Sequence, residues 1–119
     1  MATIYIDMED GLKRVMNNKK LYARLLSKFK ASTDLQALTA AVVVGDYEKA
    51  EIEAHTIKGV AGNLSLTELF MQSQELDTKL KTKLAKPDDL AITPETIEPL
   101  LTCFENTLIS IDKVLADYA

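Results

Sequence analysis

Apolar positions along this chain recur at three- and four-residue spacing and almost never alternate, which predicts helices throughout. Asp7 to Met16 reads as a short helix with Met8, Leu12, Val15 and Met16 on one stripe, after the β-branched-rich run Thr3-Ile4-Tyr5-Ile6. Asn18 is placed to cap a second helix whose core face carries Leu21, Leu25 and Phe29, with Tyr22 and Leu26 beside them. Ser32 or Thr33 caps a third, from Asp34 to about Val44, with Leu35, Leu38, Ala41 and Val42 inward. Gly45 ends it and Asp46 caps a fourth, from Tyr47 to about Asn63. Ser65-Leu66-Thr67-Glu68 has the form of a capping box for a fifth helix reaching about Lys83, buried along Leu66, Leu69, Ser73, Leu76 and Leu80. Lys86-Pro87-Asp88-Asp89 breaks the pattern, and Thr93-Pro94 restarts it as cap and first helical residue. The last helix sets Ile97, Leu101, Phe104, Leu108, Ile111, Leu115 and Tyr118 in a bundle seam, with Pro99 expected to bend its first turns. The expected fold is all-α: an antiparallel four-helix bundle with short additional helices at the N-terminus.

Composition narrows the function classes. The 119 residues suffice for one domain, spanning 1–119, with one modest core. Apolar residues at 47 % and charged residues at 27 % suit a soluble globular chain, and no apolar run reaches the roughly 18 residues of a membrane span. A net charge of −4, mixed along the chain, argues against a nucleic-acid partner. The single Cys103 excludes an internal disulfide and suits a reducing compartment; it lies near the apolar seam, where it packs as a small hydrophobe. No signal peptide precedes Met1-Ala-Thr, so a cytoplasmic location is expected.

The candidate chemistry gathers around His55, the sole histidine. At about 100° per residue, Ile57, Val60, Ala61 and Leu64 share one side of the fourth helix with Ala50 behind them, and His55 falls nearly opposite, towards solvent. Gly59 and Gly62 follow on its stripe, and each costs a helix interior roughly 1 kcal/mol relative to Ala. Together they predict a bare strip of backbone over which another protein could approach the ring. Lys58, at i+3, brings a positive charge beside it. One histidine and one distant cysteine do not make a metal centre, so no metal is expected. No glycine-rich phosphate loop is present, since Gly59 and Gly62 lie within a helix. A convex helix face is also a poor pocket for a general base. Imidazole is mostly neutral near pH 7, and one ring nitrogen then keeps a lone pair able to attack phosphorus.

The run Ala54-His55-Thr56-Ile57-Lys58-Gly59-Val60-Ala61-Gly62-Asn63 resembles the signature of the histidine-containing phosphotransfer domain, His-x-x-Lys-Gly within Ala-His-x-Leu/Ile-Lys-Gly-x-Ala-Gly-Asn. Gly45-Asp46 and Leu69 also look familial. The resemblance implies a phosphorelay carrier, not an enzyme in its own right. His55 would accept a phosphoryl group on Nε2 from a receiver-domain aspartate and pass it to another receiver. Lys58 would steady the phosphoryl group, and Mg²⁺ would sit on the partner receiver, with no cofactor in this chain. Response-regulator receivers are the implied partners, with a hybrid sensor histidine kinase as a further candidate, and the chain is expected to act as a monomer. Met8, Leu12, Met16 and Glu51 are candidate docking positions.

Two departures stand out. Asn63-Leu64-Ser65-Leu66 follows the motif where many relatives carry a second small pair, and Asp77 falls where the family often places a glutamine near the ring. An aspartate cannot donate as glutamine does, so Lys81, at i+4, is expected to offset its charge and Gln74 to serve as substitute donor. The competing reading is a helical interaction adaptor without phosphotransfer, against which the presence of His55 argues.

Overall fold

Six helices carry the chain in the computed structural model, which describes residues 3–88 and 91–118. They are α1 (Met8–Arg14), α2 (Lys19–Ser32), α3 (Gln36–Val44), α4 (Tyr47–Asn63), α5 (Thr67–Ala85) and α6 (Pro94–Tyr118), with no strand among the described residues. Helices α3, α4, α5 and α6 close a ring, each packed on the next and α6 back on α3, while α2 lies on α6 and α1 on α2. This is the expected all-α bundle with additional N-terminal helices. Asp89, part of the predicted breaking loop, lies outside the described residues.

The local signals explain most boundaries. Asn18 Oδ1 accepts the Leu21 N–H at 3.0 Å, and Asp46 Oδ1 accepts that of Lys49 at 3.2 Å. Gly45 ends α3 with φ 76°, a left-handed conformation that favours glycine. Four expectations need correction. α1 stops at Arg14 because Met16 and Asn17 turn left-handed, at φ 55° and 61°, so Met16 lies outside the helix and is 91 % exposed. α3 begins at Gln36, since Asp34 Oδ1 takes the Gln36 N–H at 2.9 Å, and the Ser32 hydroxyl donates back into α2, to Lys28 O. In α2 the buried face is Tyr22, Leu26 and Phe29, with Leu25 half-buried and Leu21 at the surface. In α6 it is Ile97, Leu100, Cys103, Phe104, Thr107 and Ile111, while Leu101, Leu108, Leu115 and Tyr118 flank it half-buried. The spacing is as read, rotated by one position. Thr107 fits this seam because its hydroxyl donates to Cys103 O at 2.7 Å.

The capping box is the fifth correction. Ser65 has φ 58° and is buried, and Leu66 occupies the cap of α5 with no side-chain bond. The backbone instead closes α4 with a Schellman turn: the Leu66 N–H reaches Ala61 O at 2.9 Å and the Ser65 N–H reaches Gly62 O at 3.3 Å. The N-terminal segment is fastened to this turn. Asp7 N–H donates to Ser65 O at 2.9 Å, the Ser65 hydroxyl to Asp10 Oδ2 at 2.5 Å, and the Thr67 hydroxyl to Ile4 O at 3.0 Å.

The core is contiguous from α2 to α6. Ala50, Ala54 and Ala61 give α4 a flat inner face against the α5 leucines, of which Leu69 and Leu80 are fully buried. Phe29 and Phe104 meet edge to face at 6.0 Å between α2 and α6. Tyr22 is fully buried and its hydroxyl donates to Leu64 O at 2.6 Å. Burial pushes this phenol up to about 12 from 10.0, so between those values the folded protein holds a proton that the unfolded chain has released. Its stabilising share is therefore complete below pH 10 and falls as pH rises towards 12. Tyr22→Phe should lose about 1 kcal/mol at neutral pH and show a shallower alkaline decline than the native chain. Urea melts of both proteins at neutral and alkaline pH check this; parallel declines would remove Tyr22 from the account.

Candidate functional site

With its alanine face turned inward, α4 presents His55 outward, and the imidazole side chain is 63 % exposed. Lys58, one turn on, is partly covered at 27 %. Facing them from α5 is Asp77, whose side chain is only 3 % exposed. Its Oδ2 lies 3.6 Å from His55 Nδ1, 4.0 Å from Lys58 Nζ and 3.2 Å from Lys81 Nζ. The first two distances exceed a hydrogen bond, whereas the third is a close ion pair. Burial by itself would raise the Asp77 carboxyl, but the Lys81 ammonium, with Glu51 and His55 acting in the same direction, outweighs it and holds the carboxyl below its ordinary range. The group facing the ring is thus an ionised carboxylate flanked by two lysines, of which Lys81 is the nearer.

The other candidates divide. Glu51 is half-buried one turn before His55, with Oε2 buried and without a hydrogen-bond partner, so it faces into the helix pair rather than out as a docking residue. Gln74 does not join the group: it is exposed and lines a groove with Gln72, Glu75, Thr78 and Lys79. Met8 and Leu12 are half-buried against the core, leaving Met16 as the free member of that set. The helix that carries Met8 and Leu12 is bonded through Asp7 and Asp10 to Ser65, just past the C-terminal end of α4. Ile52, one turn before His55, is an exposed apolar residue that the helical reading did not single out.

The two glycines have different reasons. A Cβ at Gly59 would meet nothing within 4 Å, so its bareness serves nothing inside the protein. A Cβ at Gly62 would stand 3.3 Å from the Phe70 ring, so that glycine is explained by packing on α5. The predicted bare strip is therefore one residue long. Gly59→Ala should raise stability by about 0.5–1 kcal/mol. Gly59→Leu should fold as well, because nothing inside the protein lies within 4 Å of the added Cβ. Thermal melts of the two variants decide it; a large loss of stability in either would show that the position is occupied from within.

One cluster could hold a cation. Donor atoms of Glu51, His55 and Asp77 lie within 4.8 Å of one another, two from adjacent turns of α4 and one from α5. Spacing along the sequence does not show this cluster, because Asp77 of α5 is brought beside Glu51 and His55 of α4 only by the fold. Asp77 carried a readable signal: it adjoins Leu76 and precedes Leu80 by three, on the buried side of α5.

Among the described residues no helix is long and apolar enough to cross a membrane. No individual curated protein and no solved structure gives a match to the chain. The sequence profile of the Hpt domain matches residues 24–113, from within α2 to near the end of α6, and takes in His55, Lys58, Gly59 and Asp77. A lone exposed imidazole on a helical bundle, in a chain matched over most of its length, places this protein in the Hpt domain family, whose general role is histidine phosphotransfer in phosphorelays.

Proposed function

We propose that His55 is the phosphoryl acceptor, taking the group from the aspartyl phosphate of one receiver domain and returning it to the aspartate of another. The observation that carries this reading is the exposed sole histidine beside a glycine whose missing side chain has no internal use. Nδ1 is the ring nitrogen turned towards Asp77, which leaves Nε2 on the far edge for the incoming phosphorus. As Nε2 attacks in line, the aspartyl oxygen leaves and charge spreads over the equatorial oxygens. Lys58 lies on the same face to meet that charge, while Mg²⁺ on the receiver supplies the rest. Asp77, itself paired with Lys81, lies on the inner side of the ring, where its negative charge favours the tautomer with N–H at Nδ1 and so a lone pair on Nε2.

Mixing the chain with a panel of receivers carrying labelled aspartyl phosphate tests this. Label should move onto the chain from at least one receiver and prove stable in alkali and labile in acid, as phosphohistidine is. Label that survives acid and is lost in alkali would place the acceptor on another residue type.

A further inference from the structure

We propose that Glu51, His55 and Asp77 form a site for a divalent cation of the zinc class. The three donor atoms already lie within 4.8 Å of one another. A tetrahedral ion with bonds near 2.1 Å needs its ligands roughly 3.4 Å apart, and His55 Nδ1 and Asp77 Oδ2 stand at 3.6 Å. Side-chain adjustment on the order of 1 Å completes the set, and the backbone is well suited to hold it. Glu51 and His55 are i and i+4 on one face of α4, and α5 packs directly against that helix with Asp77 inward. Bundles commonly build metal sites from facing helices in this way.

The polar balance of the site points in the same direction. Asp77 Oδ1 and Glu51 Oε2 are both buried and have no hydrogen-bond partner, and the Asp77 side chain is almost wholly covered. Two inward carboxylate oxygens without donors are expensive for a fold to keep, and one cation between them satisfies both. Asp77 Oδ2, the oxygen that faces His55 Nδ1, also pairs with Lys81 at 3.2 Å, so a cation bound there competes with that ammonium, while Oδ1 beside it has no partner of its own. An imidazole nitrogen with two carboxylates is a three-ligand zinc-type set with a fourth position for water. The nitrogen selects against Mg²⁺ and Ca²⁺, which prefer all-oxygen shells. The ammonium groups of Lys58 and Lys81 oppose the incoming charge, so this is an exchangeable site, not a structural one.

Calorimetric titration of the full chain with zinc chloride should give one ion per chain, and magnesium chloride at the same concentrations should give no heat of binding. His55→Gln, exposed and safe for folding, and Asp77→Asn should each weaken zinc binding at least tenfold. Lys81→Met, which removes a competing positive charge, should strengthen it several-fold, and a surface histidine binding zinc alone would not respond. Because His55 is the only histidine, zinc should also protect the chain from carbethoxylation by diethyl pyrocarbonate. Native affinity in His55→Gln, or in both Asp77→Asn and Lys81→Met, overturns the site. That bound zinc should slow phosphoryl transfer rests on the proposed function. Tight zinc binding by a chain that accepts no phosphoryl group would overturn that function and leave the site; transfer without zinc binding would do the reverse.

Discussion

His55→Gln should melt at the native temperature and accept no phosphoryl group from any receiver. The side chain stands 63 % in solvent on the outer face of α4, so glutamine replaces it without a cavity or a buried polar atom. An amide has no nucleophilic nitrogen, and no second histidine exists to take over. The effect is therefore loss to background, not a graded decline. Circular-dichroism melts establish the fold, and transfer from labelled receivers measures the activity. Residual labelling above background, on a chain of unchanged stability, would mean that the acceptor is not His55.

Gly11→Ala should produce the largest loss of stability of any single methyl addition considered for this chain. Its Cβ would fall well inside 3.0 Å of the Tyr22 hydroxyl and ring carbon. Tyr22 cannot yield, because it is fully buried and its hydroxyl is held by Leu64 O at 2.6 Å. Alanine brings a helix-propensity gain of about 1 kcal/mol, and overpacking a fixed core typically costs about 1–3 kcal/mol or more. Here α1 must shift or Tyr22 must lose its bond, so a net loss of about 2 kcal/mol is expected, read as a lower urea midpoint at unchanged m. A change below about 0.5 kcal/mol would show that α1 does not rest on Tyr22 in solution.

Features that depend on near neighbours in the sequence could be read from it. Asn18, Gly45 and Asp46 mark helix ends through their own side-chain or backbone preferences, and all three act where the pattern placed them. So does the outward position of His55, which follows from the inward alanines and Ile57. Features decided by a second helix could not. Ser65 has the composition of a cap, but its hydroxyl is committed to Asp10 across 55 positions and its backbone is left-handed. The seams of α2 and α6 rotate by one position because each packs on more than one neighbour, which widens the buried arc beyond a single stripe. At the site, Lys58 and Gly59 could be placed from spacing on α4 alone. The nearness of Asp77 to His55 followed from the family resemblance and not from spacing, whereas the division of labour between Gly59 and Gly62 required knowing where Phe70 lies.

The fastened turn at residues 64–67 has a mechanical consequence. A slip of α4 along α5 by one turn, about 5.4 Å, would carry Asp77 out of reach of His55. Bonds to Asp7, Asp10, Tyr22 and Ile4 act as a latch against that slip, fixing the axial register of α4 on α5. All four latch residues precede residue 24, where the family match begins. The chain thus carries its register stop outside the residues that the family profile matches, where substitutions can loosen or tighten the surroundings of His55 without altering His55, Lys58 or Asp77 themselves.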